Sequence, residues 1–154
     1  MYFRSLNDNS SKVNFETALK KGLADDGGLF YPEKISPLRK DFIENIENYS
    51  DIEIAYEIIK QFVGDSINET DLKNILSNTI DFDFPLIKLE KNIYSLELFH
   101  GPTLAFKDVG ARFMANCLGY FNKNENKTNT VLVATSGDTG AAVANGFLKV
   151  KGTN

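Results

Sequence analysis

The stretch "HGPTLAFKDVGARF", residues 100–113, sets one lysine, Lys107, between Phe106 and Asp108 at what reads as the start of a helix. An amine in that position feels the positive end of the helix dipole, and partial burial beside Phe106 penalises its charge further. Both effects favour the neutral amine, the form that attacks an aldehyde and makes a Schiff base. The plainer alternative is a solvated lysine paired with Asp108. A second stretch, "ATSGDTG", residues 134–140, is a Gly-rich turn between an apolar run and a small-residue helix. Such a turn exposes backbone N–H groups beside a helix N-terminus and so suits an anion. Ser136 and Thr139 add hydroxyl donors, while Gly137 and Gly140 admit close approach of backbone or ligand. The same turn also reads as plain punctuation, with Ser136 or Asp138 capping the helix. It matches neither a P-loop nor a dinucleotide fingerprint.

The elements that must carry these residues follow from periodicity and end signals. "NFETALKKGL" predicts a short helix capped by Asn14 and stopped at Gly22, with Phe15, Ala18 and Leu19 on one face. "SPLRKDFIENIENY" predicts a second, with Ser36 as cap and Pro37 in the first helical position. "SDIEIAYEIIKQFVG" carries the capping-box pair Ser50 and Glu53, an apolar face of Ile52, Ala55, Ile58, Ile59 and Phe62, and Gly64 as stop. "ETDLKNILSNTI" adds a fourth through Leu72, Ile75, Leu76 and Ile80. Near residue 84 the composition shifts. "LIKLEKNIYSLEL" alternates apolar and polar residues around Lys91 and Asn92, which predicts two strands and a turn. Val109, Phe113, Cys117 and Phe121 then recur every four residues, the stripe of a helix with Asp108 as cap. After a polar loop over 122–129, "TVLVATS" reads as a buried parallel strand running into the turn at 136–140. The fold class is α/β, with a mainly helical domain at 1–84 and the start of an α/β domain at 85–154.

Composition excludes several function classes. Seventeen basic against 21 acidic side chains leave a formal net charge of −4, with no basic stripe for nucleic acid. One cysteine and one histidine form no disulfide and no metal-ligand cluster. No run approaches the ~18 apolar residues of a membrane span, and the N-terminus has no signal-peptide core, so a cytoplasmic protein is expected.

"ELFHGPTLAFKDVGARFM" and "ATSGDTGAAVANGF", with "ADDGGLFYP" upstream, resemble the threonine synthase family, pyridoxal-phosphate enzymes of the tryptophan-synthase-β-like fold. The resemblance runs from "YFRSLN" to the last residues. It implies that Lys107 forms the Schiff base with pyridoxal 5'-phosphate, flanked by Phe106, and that Asp138 lies against the cofactor. It implies too that Ser136, Gly137, Asp138, Thr139 and Gly140 receive the substrate's α-carboxylate. The implied reaction converts O-phospho-L-homoserine and water to L-threonine and phosphate, with Lys107 as acid and base. Two other classes stay open: a phospho-lyase of the same fold that releases a keto acid, and a non-catalytic binding module. "ADDGGLFYP" reads as a Gly turn at Asp25, Asp26, Gly27 and Gly28 that packs Leu29 and Phe30 into the core, in preference to a substrate loop. His100 reads as a structural donor. Family members run to several hundred residues and grip the cofactor phosphate beyond residue 154. The chain is therefore expected to be an N-terminal portion of a three-layer α/β enzyme with an incomplete sheet. Alone it should bind the cofactor weakly or not at all, be inactive, and self-associate through an open sheet edge.

Overall fold

A computed structural model describes residues 1–124 and 128–154. The polar loop expected over 122–129 begins as a 3-10 turn, Asn122–Asn124. Its part at 125–127 lies outside the described residues. The chain forms two compact units, Met1–Leu76 and Ser77–Asn154.

In the first unit, β1 (Phe3–Ser5) pairs antiparallel with β2 (Phe30–Pro32), Phe3 opposite Pro32 and Ser5 opposite Phe30. Neither three-residue strand is marked by an alternating pattern in the sequence. Between them lies α1 (Phe15–Lys21), whose Asn14 side chain accepts from the Thr17 N–H at 2.9 Å and whose last carbonyls close on Gly22. The second helix differs from expectation. α2 spans only Lys40–Glu44 behind an extended Arg39, and a 3-10 turn, Ile46–Asn48, follows. Ser36 does not cap it: the N-cap position is Arg39, three residues on, and the Ser36 N–H donates to the Gln61 side chain at 2.9 Å. α3 (Asp51–Val63) has the full capping box, Ser50 with Glu53, and ends at Gly64. Ile58, expected on its apolar face, is exposed. α4 spans Glu69–Thr79. Phe42, Val63, Ile67, Leu72, Ile75 and Leu76 are buried, and Phe42 packs on Tyr49 with ring centroids 4.8 Å apart. Burying a side chain such as Phe42 stabilises by about 1.5–3 kcal/mol.

The loop before β2 also departs from expectation. Leu29 is exposed rather than packed in the core. The loop is organised by polar contacts: the Asp26 carboxylate accepts from the Ser5 hydroxyl and from the N–H groups of Asn9 and Gly28, both at 3.0 Å. Ser5 itself is fully buried.

The second unit opens with the hairpin β3 (Leu86–Glu90) and β4 (Ile93–Leu96), joined by Lys91 and a left-handed Asn92 at φ 66°. α5 (Lys107–Phe121) and α6 (Asp138–Phe147) then pack together through small residues, with Ala115, Cys117 and Ala142 fully buried. Gly146 permits that approach, since a Cβ there would lie 3.0 Å from the Ala111 carbonyl carbon. Burial pushes the Cys117 thiol up to about 12, so it stays protonated and inert.

The buried strand expected at "TVLVATS" does not form. Residues 131–135 are irregular, and Leu132 is 90% exposed. The reason is pairing. A strand is held by its neighbours, and among the described residues only 152–154 offer one: Asn129 N–H donates to Gly152 O at 2.9 Å, Asn154 N–H to Asn129 O at 2.9 Å, and Val131 N–H to Asn154 O at 2.8 Å. That contact is one parallel bridge, Asn129 to Thr153, outside any strand. No helix among the described residues is long and apolar enough to cross a membrane.

Candidate active site

Lys107 is the first residue of α5 and Asp138 the first residue of α6, and the packing of these helices brings their N-terminal ends together. Lys107 Nζ donates to Asp138 Oδ2 at 3.2 Å and stands 5.0 Å from the centroid of the Phe106 ring. The lysine side chain is 34% exposed and that of Asp138 is 73% exposed. A solvated pair of this kind is worth at most about 1 kcal/mol, so a ligand can displace it at little cost.

The anion partner of Lys107 is therefore Asp138, 31 residues on, and not its neighbour Asp108. Nor does Asp108 cap α5 as expected. The N-cap position is Phe106, with no side-chain cap, and Asp108 is buried inside the first turn. Its carboxylate reaches back to Thr103, accepting from the backbone N–H at 2.9 Å and from the hydroxyl at 2.6 Å. Phe106 lies 61% exposed, so its ring flanks the amine without enclosing it.

The turn at 136–140 is open to solvent, with Ser136, Asp138 and Thr139 all exposed. Gly137 adopts φ 152°, a backbone state that side chains rarely take, and the sharp corner it makes starts α6. Neither Ser136 nor Asp138 supplies a helix-capping bond. A residue the sequence reading passed over does so: Thr135 Oγ1 accepts from Gly137 N–H at 3.2 Å and from Gly140 N–H at 2.9 Å. Two of the amides counted as anion donors are thus already taken. The amides of Asp138 and Thr139 lie in the first turn of the helix, where N–H groups have no intrahelical partner. The signal for Thr135 was a hydroxyl residue two positions before the glycine of a strand-to-helix turn, a geometry that Thr and Ser bridge to nearby N–H groups. His100 sits outside this arrangement, with Nε2 at 2.7 Å from Glu97 Oε2 and its ring stacked on Phe99. No cluster of potential metal ligands occurs among the described residues.

The structure thus brings an amine and a Gly-rich hydroxyl turn together at adjoining helix N-termini, in a unit preceded by a separate helical one. Known proteins make the class specific. Residues 2–80 match the family model described as threonine synthase N terminus. The threonine synthase of Buchnera aphidicola subsp. Baizongia pistaciae is 43% identical over 152 residues, 98% of this chain and 35% of that protein. That of Escherichia coli K12 is 38% identical over 147 residues, 96% of this chain and 34% of that protein. Among solved structures, Escherichia coli threonine synthase superposes with a TM-score of 0.91 at 36% identity, over 100% of this chain and 36% of that one. A PLP-bound threonine synthase from Brucella melitensis gives 0.94 at 33% identity, over 100% of this chain and 34% of that one. The chain belongs to the threonine synthase family. It spans about 35% of the length of the curated relatives it matches, and its helices and small incomplete sheets match the N-terminal part of the solved structures.

Proposed function

We propose that this chain carries the lysine and the carboxylate-binding turn of an enzyme that converts O-phospho-L-homoserine and water to L-threonine and phosphate. The observation that carries the reading is the 3.2 Å meeting of Lys107 with the turn at 136–140 in a chain of this family. Residues 1–84 would be the helical N-terminal domain and 85–154 the start of the cofactor domain, in a cytoplasmic enzyme.

The residues present fit pyridoxal phosphate on the chemistry of their donors. Lys107 supplies a primary amine, Phe106 an exposed aromatic face beside it, and Asp138 a carboxylate within reach of the amine. When bound, the cofactor supplies a conjugated ring that takes up the electron pair left as the substrate's α-proton departs. The chain's own part is binding, orientation and proton movement. The hydroxyls of Ser136 and Thr139 and the amides of Asp138 and Thr139 would hold the substrate carboxylate, with Gly137 and Gly140 keeping the approach open. Lys107 Nζ would carry the proton to and from the substrate carbons that face it. Asp138, paired with Lys107 in the resting state, would yield that pairing to the ligand.

The test is an assay of the intact gene product with pyridoxal phosphate and O-phosphohomoserine. Threonine and phosphate in equal amounts support the reading. 2-Oxobutyrate in place of threonine identifies a phospho-lyase, and no turnover with no absorbance change on adding the cofactor identifies a binding module.

A further inference from the structure

Between Gly101 and Lys107 the chain makes a tight turn that ends in the candidate lysine. Its geometry is demanding. Leu104 N–H donates to Gly101 O at 3.0 Å, and Leu104 adopts φ 58°, a left-handed state that a leucine occupies only under constraint. Gly101 leaves no room for a side chain, since a Cβ there would meet Asp108 Oδ2 at 2.5 Å and the Phe82 ring at 2.9 Å.

One side chain closes this turn. Asp108 is fully buried, and both of its oxygens are spent on Thr103, Oδ2 on the N–H and Oδ1 on the hydroxyl. Its own N–H donates to Ala105 O at 3.0 Å. The carboxylate lies in the first turn of α5, where the helix dipole favours negative charge. α5 has no side-chain cap in front of it, so Asp108 anchors the entry to the helix from within. The neighbouring segment backs it up: Arg112 Nη2 donates to Asn78 O at 2.6 Å and pairs with Asp81 at 2.7 Å, and the guanidinium stands over Phe82 at 5.6 Å.

We propose that Asp108 is a positioning residue, whose buried carboxylate locks the turn at 101–106 and thereby sets the direction in which Lys107 leaves α5 toward Asp138. It works through the backbone, because its hydrogen bonds go to Thr103 while the Lys107 amine pairs with Asp138. A lysine on a loose turn samples many directions and reaches a reactive aldehyde rarely; on a locked turn it presents one. This rests on the reading of Lys107 as the residue that captures pyridoxal phosphate, a reaction that joins its nitrogen to the aldehyde carbon with loss of water.

The experiment follows the absorbance change when pyridoxal phosphate is mixed with the intact gene product, comparing Asp108→Ala, Thr103→Val and Thr103→Ser with the wild type. Circular dichroism at the same temperature confirms that each variant is folded. Asp108→Ala and Thr103→Val slow capture by about tenfold or more, while Thr103→Ser, which keeps the hydroxyl, captures at the wild-type rate. Folded Asp108→Ala and Thr103→Val proteins that capture as fast as wild type overturn the proposal. If Asp108→Ala does not fold, the two Thr103 variants decide alone. A wild-type protein with no absorbance change overturns the reading of Lys107 itself, and this inference with it.

Discussion

Asp26 shows how much one carboxylate can organise. It accepts from the Ser5 hydroxyl, which is the largest influence on it, and from the amides of Gly28 and Asn9, and together these hold its carboxyl below the usual aspartate range. A carboxyl depressed in the folded state contributes stability that is present above its unfolded pKa of ~3.9 and is lost as pH falls through the lower folded value. Urea melts of the protein should therefore lose stability below about pH 4, and Asp26→Asn should flatten that loss. An unchanged acid limb in the variant would remove Asp26 from the account. At the candidate site the corresponding residue is Thr139. If its hydroxyl bonds the substrate carboxylate, Thr139→Val weakens binding by roughly 1–3 kcal/mol, and unchanged affinity and rate in the intact enzyme would count against contact. The helix start at Lys107 and the Gly turn before α6 are legible in the sequence because both are local patterns. The partner of Lys107 was not, since the sequence places Asp108 beside it and only helix packing brings Asp138 to 3.2 Å.

Elements with strong end signals were legible almost to the residue. Asn14, the Ser50 and Glu53 pair, Gly22 and Gly64 all stand where capping chemistry puts them, because a cap depends on a few neighbouring residues. Strands depend on distant ones. Phe3–Ser5 finds its partner 27 residues further on, at Phe30–Pro32, and three residues are too few to show an alternation. "TVLVATS" failed in the opposite way: it has the composition of a buried strand, and its pairing stops at the bridge with residues 152–154. The start of α6 turns on Thr135, whose hydroxyl takes two of the turn's amides. Thr135→Val should destabilise the second unit by about 1 kcal/mol in denaturant melts, while Thr135→Ser should retain wild-type stability. Equal stability of the valine variant would mean that water serves those amides as well.

At the scale of the molecule, the exposed apolar surface is what calls for an explanation. Leu86, Leu89, Ile93, Tyr94 and Leu96 leave the β3–β4 hairpin exposed on both faces, and Leu132 and Val133 stand out beside the 136–140 turn. Surfaces of this kind, next to unpaired strand edges, associate. The 154-residue chain prepared alone should therefore show an apparent mass in light scattering that rises with concentration, and a constant monomer mass would contradict this. The relatives that match it are about three times as long, and their further chain is the natural comparison for what covers such faces.

Everything proposed for the site depends on Lys107 being the lysine that takes the cofactor. Its most direct test is borohydride reduction of the intact gene product in the presence of pyridoxal phosphate, followed by peptide mapping. The pyridoxyl group is expected on Lys107, in the peptide that contains Phe106 and Asp108. Recovery of the label on another lysine, such as Lys123 or Lys149, with Lys107 unmodified, would contradict it.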